Sequence, residues 1–159
     1  AFLRKLNTGK KVIAIELDSP KDADLTGYLD GARRLQAAGA DLLTIADCPI
    51  ARARMDSSLV ACRVHRELGL NVLPHMTCRD RNLNATKALL LGLYAEGVRE
   101  VLAITGDPIP TAERDEVKKR VPVQLPQAGA VHRLAGRGGP GDALAPHRVR
   151  CAEPERPQL

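Results

Sequence analysis

With 159 residues, 44% apolar but only 2% aromatic, the chain is sized for one domain, or part of one, with an aliphatic core. No window approaches the roughly 18 apolar residues of a membrane span, the start AFLRKLNTGKK lacks a leader's apolar segment, and Cys48, Cys62, Cys78 and Cys151 form no CxxC pair, so reduced cytoplasmic thiols are expected. The net charge of +5 sits wholly in residues 118–159, with 8 Lys+Arg against 3 Asp+Glu, and residues 1–117 balance.

In chain order, KVIAIEL predicts a first strand near 11–17. Leu25, Leu29, Ala32 and Leu35 recur at helical spacing and predict a helix that stops at Gly39. A strand near 41–47 follows, in AAGADLLTIAD. Leu59, Cys62 and Arg66 mark a weaker helical face that stops at Gly69, and ELGLNVLPHMT predicts a third strand near 71–77. Asn82 or Asn84 can cap a third helix, in ATKALLLGLYAEG, which stops at Gly97 before a fourth strand near 100–107. The three glycines each suit the left-handed turn after a helix. Buried strands alternating with helices mean a parallel sheet. A period near 30 without GxGxxG favours a (β/α) barrel over a dinucleotide-binding fold. The fold class expected is therefore α/β, with about four parallel strands forming the N-terminal half of a (β/α)8 barrel in residues 1–117, followed by an irregular tail in 118–159.

In such barrels function sits at the carboxyl ends of the strands. Polar groups collect there in this sequence: Glu16, then Asp47, then His75 and Thr77, then Thr105, Gly106 and Asp107. Glu16 interrupts an apolar strand, where partial desolvation would raise its pKa and suit a general acid. A structural carboxylate paired with Arg is the equal alternative. Asp107, after Gly106 and before Pro108, can accept hydrogen bonds from an amino-substituted heterocycle, or simply make a turn. His75 can contact a cofactor, shuttle a proton or serve as a structural histidine. His75 and Cys78 lack a second pair at metal-site spacing, so no metal is expected. Arg79, Asp80 and Arg81, like the run RARMD at 52–56, read as an anion site or, more conservatively, as a solvated ion-pair cluster ordering its loop.

Four stretches, VIAIELDSPKD, LTIADCPIARARMDS, LPHMTCRDRNLNATKALLLGL and VLAITGDPIPTAERDEVK, together resemble the methylenetetrahydrofolate reductase family, in the bacterial branch often joined to a homocysteine methyltransferase. The resemblance implies an FAD-containing (β/α)8 barrel that reduces 5,10-methylenetetrahydrofolate to 5-methyltetrahydrofolate in one-carbon and methionine metabolism. It makes Glu16 the acid that protonates folate, and sets Asp107 between pterin and flavin. His75, Thr105 and Gly106 become flavin contacts, and Asp47 and Thr77 join the cofactor-binding set. The partners implied are methylenetetrahydrofolate and an electron donor, NAD(P)H or a redox protein. The intact relative would be a homo-oligomer or carry the fused methyltransferase domain. Better-known members have Thr-Tyr-Gly-Ala where this chain has Ala46-Asp47-Cys48-Pro49, and often Arg at the position of Thr105, so the nicotinamide contacts do not carry over.

The resemblance stops near Lys118. Residues 118–159 hold 6 Pro and 5 Gly and show no helical or strand period. Reading the implied codons one nucleotide out of register makes 118–128 compatible with [KR]SVFQFNSRKL and 151–156 with [AV]LNLNA, which look like the family's continuation. The tail is therefore expected to be a frameshifted, disordered segment without packing or nucleic-acid binding, and the chain a truncated reductase with little activity of its own. The rival reading is a non-catalytic binding protein, with a half-barrel and a basic tail for nucleic acid.

Overall fold

The computed structural model describes residues 2–107 and 130–133. Four parallel strands run in chain order across one sheet: β1 (Ala14–Glu16), β2 (Leu42–Ile45), β3 (Asn71–Thr77) and β4 (Glu100–Ile104). Their register sets Ile15 beside Leu43, Leu43 beside Val72, and Thr77 beside Ile104. Helix α1 (Phe2–Asn7) precedes β1, and α2 (Thr26–Ala37), α3 (Ser57–Leu68) and α4 (Leu83–Ala95) form the three crossovers. The expected α/β pattern of four parallel strands alternating with helices is present, consistent with the half-barrel of a (β/α)8 fold. Among the described residues the sheet is open rather than closed. Among the described residues no helix is long and apolar enough to cross a membrane.

Apolar burial between sheet and helices holds these layers together. Leu43, Ile45, Val60 and Val64 are fully covered, and Leu93, Val98 and Val101 nearly so. Each such side chain contributes about 1.5–3 kcal/mol relative to exposure. Both predicted punctuation signals operate. Gly39, Gly69 and Gly97 have φ of 97°, 62° and 89°, conformations an L side chain rarely adopts. Asn82, rather than Asn84, caps α4, accepting from the Ala85 amide at 2.9 Å.

Several details differ from the sequence reading. The buried face of α3 is Val60, Ala61 and Val64, whereas Leu59 is 66% exposed. Valines four apart beside a small alanine fit the sheet more closely than the Leu59 stripe. Helix α1 was not foreseen; Lys5 anchors it by ion pairing with Asp41 at 2.6 Å. Strand β1 is shorter than 11–17, although its pairing extends past both ends: Ile13 O accepts from the Asp41 amide at 2.9 Å, and the Leu17 amide donates to Thr44 O at 3.0 Å. A fifth strand, β5 (Ala130–Arg133), pairs antiparallel with β4, setting Val131 beside Leu102. The expectation of a tail without regular structure is corrected at these four residues: Ala-Val-His-Arg is strand-compatible, and β4 offers a free edge. Residues 108–129 and 134–159, with the rest of the tail reading, lie outside the described residues.

Leu43→Ala should destabilise the chain by about 2–5 kcal/mol, because a fully buried leucine leaves a cavity. Leu91→Ala, at a site 66% exposed, should stay within about 0.5 kcal/mol. Urea unfolding of both variants measures the contrast.

Candidate functional site

The carboxyl ends of β1 to β4 open on a cavity of about 380 Å³. Glu16, Asp47, His75 and Thr77 line it from the first three strands. Thr105, Gly106 and Asp107 line it from the loop after β4, and Ala46, Pro49 and Ile104 add apolar wall. All seven residues singled out from the sequence are thus on one face and around one space.

Parallel strands explain the convergence: each ends at the same level, so the residue leaving each strand faces the same opening. Glu16 leaves β1, the sheet's edge among the described strands, and its side chain is 58% exposed. The desolvation expected for it is absent here, because no described strand covers that edge. His75 is well covered at 12% exposure, with Nε2 3.8 Å from Glu16 Oε2. Burial holds its pKa below the ordinary histidine value, against the opposing pull of Glu16, Asp47 and Asp18. The neutral imidazole next to an exposed carboxyl can relay a proton between that carboxyl and an acceptor. The His75 carbonyl accepts from Ser57 Oγ at 2.8 Å, which ties β3 to the start of α3.

Asp47 is buried, with 4% of its side chain exposed. Its Oδ2 accepts from the Thr77 amide at 2.9 Å, from Thr77 Oγ1 at 3.0 Å and from Arg81 Nη1 at 2.6 Å. The other end of the guanidinium reaches Asp56 Oδ2 at 2.6 Å. Asp56 in turn caps α3, accepting from the Ser58 amide at 2.8 Å. Burial pulls the Arg81 pKa down, and the two carboxylates more than offset it, so the guanidinium stays charged.

Asp107 Oδ2 accepts from the Ile50 amide at 2.5 Å, and Arg79 Nη1 donates to the Asp107 carbonyl at 3.2 Å. These contacts bind the loop after β4 to the turn after β2. That turn is strained: Cys48, Ile50 and Ala51 have φ of 46°, 56° and 53°, a region costly for a β-branched residue such as Ile50. Gly106, at φ 88°, packs onto Thr77; a Cβ there would meet the Thr77 Cβ and Cγ2 at 3.1 Å.

The sequence reading did not single out Arg81 or Asp56 as parts of the site. Both belong to charged runs that read as anion-binding or as solvated ion-pair clusters. The loop-ordering reading holds, yet Arg81 is 16% exposed and faces inward rather than toward water. The available signal was spacing: Arg81 comes four residues after Thr77, within reach of the strand end that Asp47 shares.

The His75 environment has a measurable consequence. Burial makes the folded chain resist protonation, so the unfolded chain takes up the proton first as pH falls below about 6.5. Stability should be full above that pH and decline as pH drops toward the lower, folded pKa. Thermal melting from pH 7.5 to 5.5 should show a smaller decline in His75→Gln than in the parent chain.

A family model described as methylenetetrahydrofolate reductase matches residues 1–126, past the Lys118 limit of the sequence resemblance. Over 45 residues the chain is also 33% identical to the 5,10-methylenetetrahydrofolate reductase of Buchnera aphidicola subsp. Schizaphis graminum (strain Sg). That stretch is 28% of this chain and spans 15% of the curated relative's length. The family match covers most of the chain, including every strand end that lines the cavity. The chain belongs to the methylenetetrahydrofolate reductase family.

Proposed function

We propose that this chain carries part of the active site of a flavin-dependent reductase that converts 5,10-methylenetetrahydrofolate to 5-methyltetrahydrofolate. One observation carries the reading: Glu16, His75 and Asp107, from three separate strand ends, face one cavity in a chain of this family. The cavity's residues suit a flavin. At about 380 Å³ the space is at the small end of ligand pockets, with room for a fused ring system but not for a whole dinucleotide. Its walls offer a neutral imidazole at His75, a hydroxyl at Thr105 and backbone at Gly106, where no side chain stands between ligand and main chain. These three would hold FAD. When bound, reduced FAD supplies the hydride.

The remaining chemistry belongs to the chain. The five-membered ring of the folate must open before its methylene carbon can accept hydride, and opening requires a proton on the bridging nitrogen. In this reading Glu16 gives that proton. His75, 3.8 Å away, can restore it. The Asp107 carboxylate accepts from the amino group of a pterin and fixes its orientation. Apolar Ala46, Pro49 and Ile104 keep that side of the space dry. Because Glu16 stands at an open edge, turnover by this chain alone should be slow.

Anaerobic half-reactions test the assignment. Glu16→Gln should leave FAD binding and flavin reduction by dithionite intact, while the flavin's reoxidation by methylenetetrahydrofolate falls by about 10²–10⁴, the range of a general acid. Equal loss of both half-reactions would make Glu16 structural. A chain that fails to bind FAD at any concentration would overturn the flavin reading.

A further inference from the structure

Asp47 is at a strand end and lines the cavity, yet its Oδ2 already receives three protein donors. Its geometry describes a fixed post. Thr77 shows what the post fixes. With its amide and its hydroxyl both on Asp47, the side chain's χ1 is locked and its methyl is directed at Gly106. There the packing is close enough that a Cβ on Gly106 would stand 3.1 Å from that methyl. Gly106 in turn connects Thr105 to Asp107. The remaining member, Arg81, is absent from the cavity wall. It holds Asp47 at 2.6 Å and the Thr77 carbonyl at 3.3 Å from behind.

We propose that Arg81 is a positioning residue for this site, acting through Asp47 and Thr77 to set the Thr105–Asp107 loop against the ligand. The proposal rests on reading the cavity as the flavin and folate site. Its physical core is charge compensation: a carboxylate 4% exposed needs a counter-ion within contact distance. Without Arg81, Asp47 must turn toward the cavity opening for water or take up a proton. Either change releases Thr77, and Gly106 loses the surface it packs on. Arg81's second partner, Asp56, belongs to the cap of α3 and does not reach the cavity, so it separates positioning from general stability.

The test uses the full 159-residue chain in five forms: parent, Arg81→Met, Asp56→Ala, Thr77→Val, and the double variant Arg81→Met/Asp47→Asn. Two readouts are taken on each: the amide resonance of Gly106 in nitrogen-labelled protein without ligand, and FAD affinity by flavin fluorescence. Arg81→Met should move the Gly106 resonance and weaken FAD binding by about tenfold, the lower end of what outer-shell partners carry at metal sites. The double variant removes the stranded charge and should return both readouts toward the parent. Thr77→Val keeps the methyl but loses the hydroxyl bond, and should move Gly106 without leaving a buried charge. Asp56→Ala should lower the melting temperature and leave Gly106 in place. The proposal is overturned if Gly106 stays put in Arg81→Met, if Asp56→Ala moves it as far, or if the double variant gives no recovery. If Arg81→Met does not fold, Thr77→Val and the double variant decide the same question. If no form binds FAD, the flavin reading fails, while the Gly106 resonance still reports whether Arg81 positions the loop.

Discussion

A carboxylate buried between strand ends stays charged only with a cation in contact, and Asp47 has Arg81 at 2.6 Å. That pair is the hinge of the molecule's functional face. Through Thr77 it fixes where β3 ends, through Asp56 it meets the cap of α3, and through Gly106 it sets the level of the loop after β4. Removing one member of such a pair generally costs about 3–5 kcal/mol, since the other is left charged and unpaired. The cavity therefore depends on an ion pair whose cation is behind its wall.

Much of the fold was legible because the sequence repeats one unit three times. Gly39, Gly69 and Gly97 mark helix ends at nearly equal spacing, and each is followed by an apolar run that can only be a buried strand. Strand ends were legible for the same reason, and with them Glu16, His75 and Asp107. The facing of α3 was not. Leu59 looks like a core residue by type, but the sheet's surface accepts Val60 and Val64 more closely, and only packing reveals that. Arg81 was hidden by company: in RDRN it reads as one of several solvated charges, and nothing local shows that Arg79 and Arg81 are both covered, at 10% and 16% exposure, or that the cation reaching a buried carboxylate is Arg81. The partner that buries it, Asp47, is 34 residues earlier.

The two sides of the sheet are unlike. β5 lies antiparallel on β4, so on that side the ladder's donors and acceptors have partners. On the other side β1 shows its outer edge among the described strands, and Glu16 is exposed as a result. The proposed acid and the covered side chains of the inner strands therefore experience different solvents. Asp47, Thr77 and His75 are well covered, where electrostatic interactions are strong; Glu16 is where water screens them. A site built this way keeps its framework rigid on the inner strands and exchanges protons at its margin.

The strained turn after β2 has a thermodynamic consequence for whatever occupies the cavity. Asp107 Oδ2 is held by the Ile50 amide at 2.5 Å, while the carboxylate keeps further acceptor sites. A ligand donor that draws on the same oxygen competes with that amide. Released from that bond, the turn can leave its left-handed conformations, which cost on the order of 1–3 kcal/mol for each such residue. Relaxation would then return part of the energy lost with the displaced bond. The carboxylate discriminates by chemistry as well as shape: a ligand bearing only acceptors gains nothing from it, whereas one with a ring amino group does.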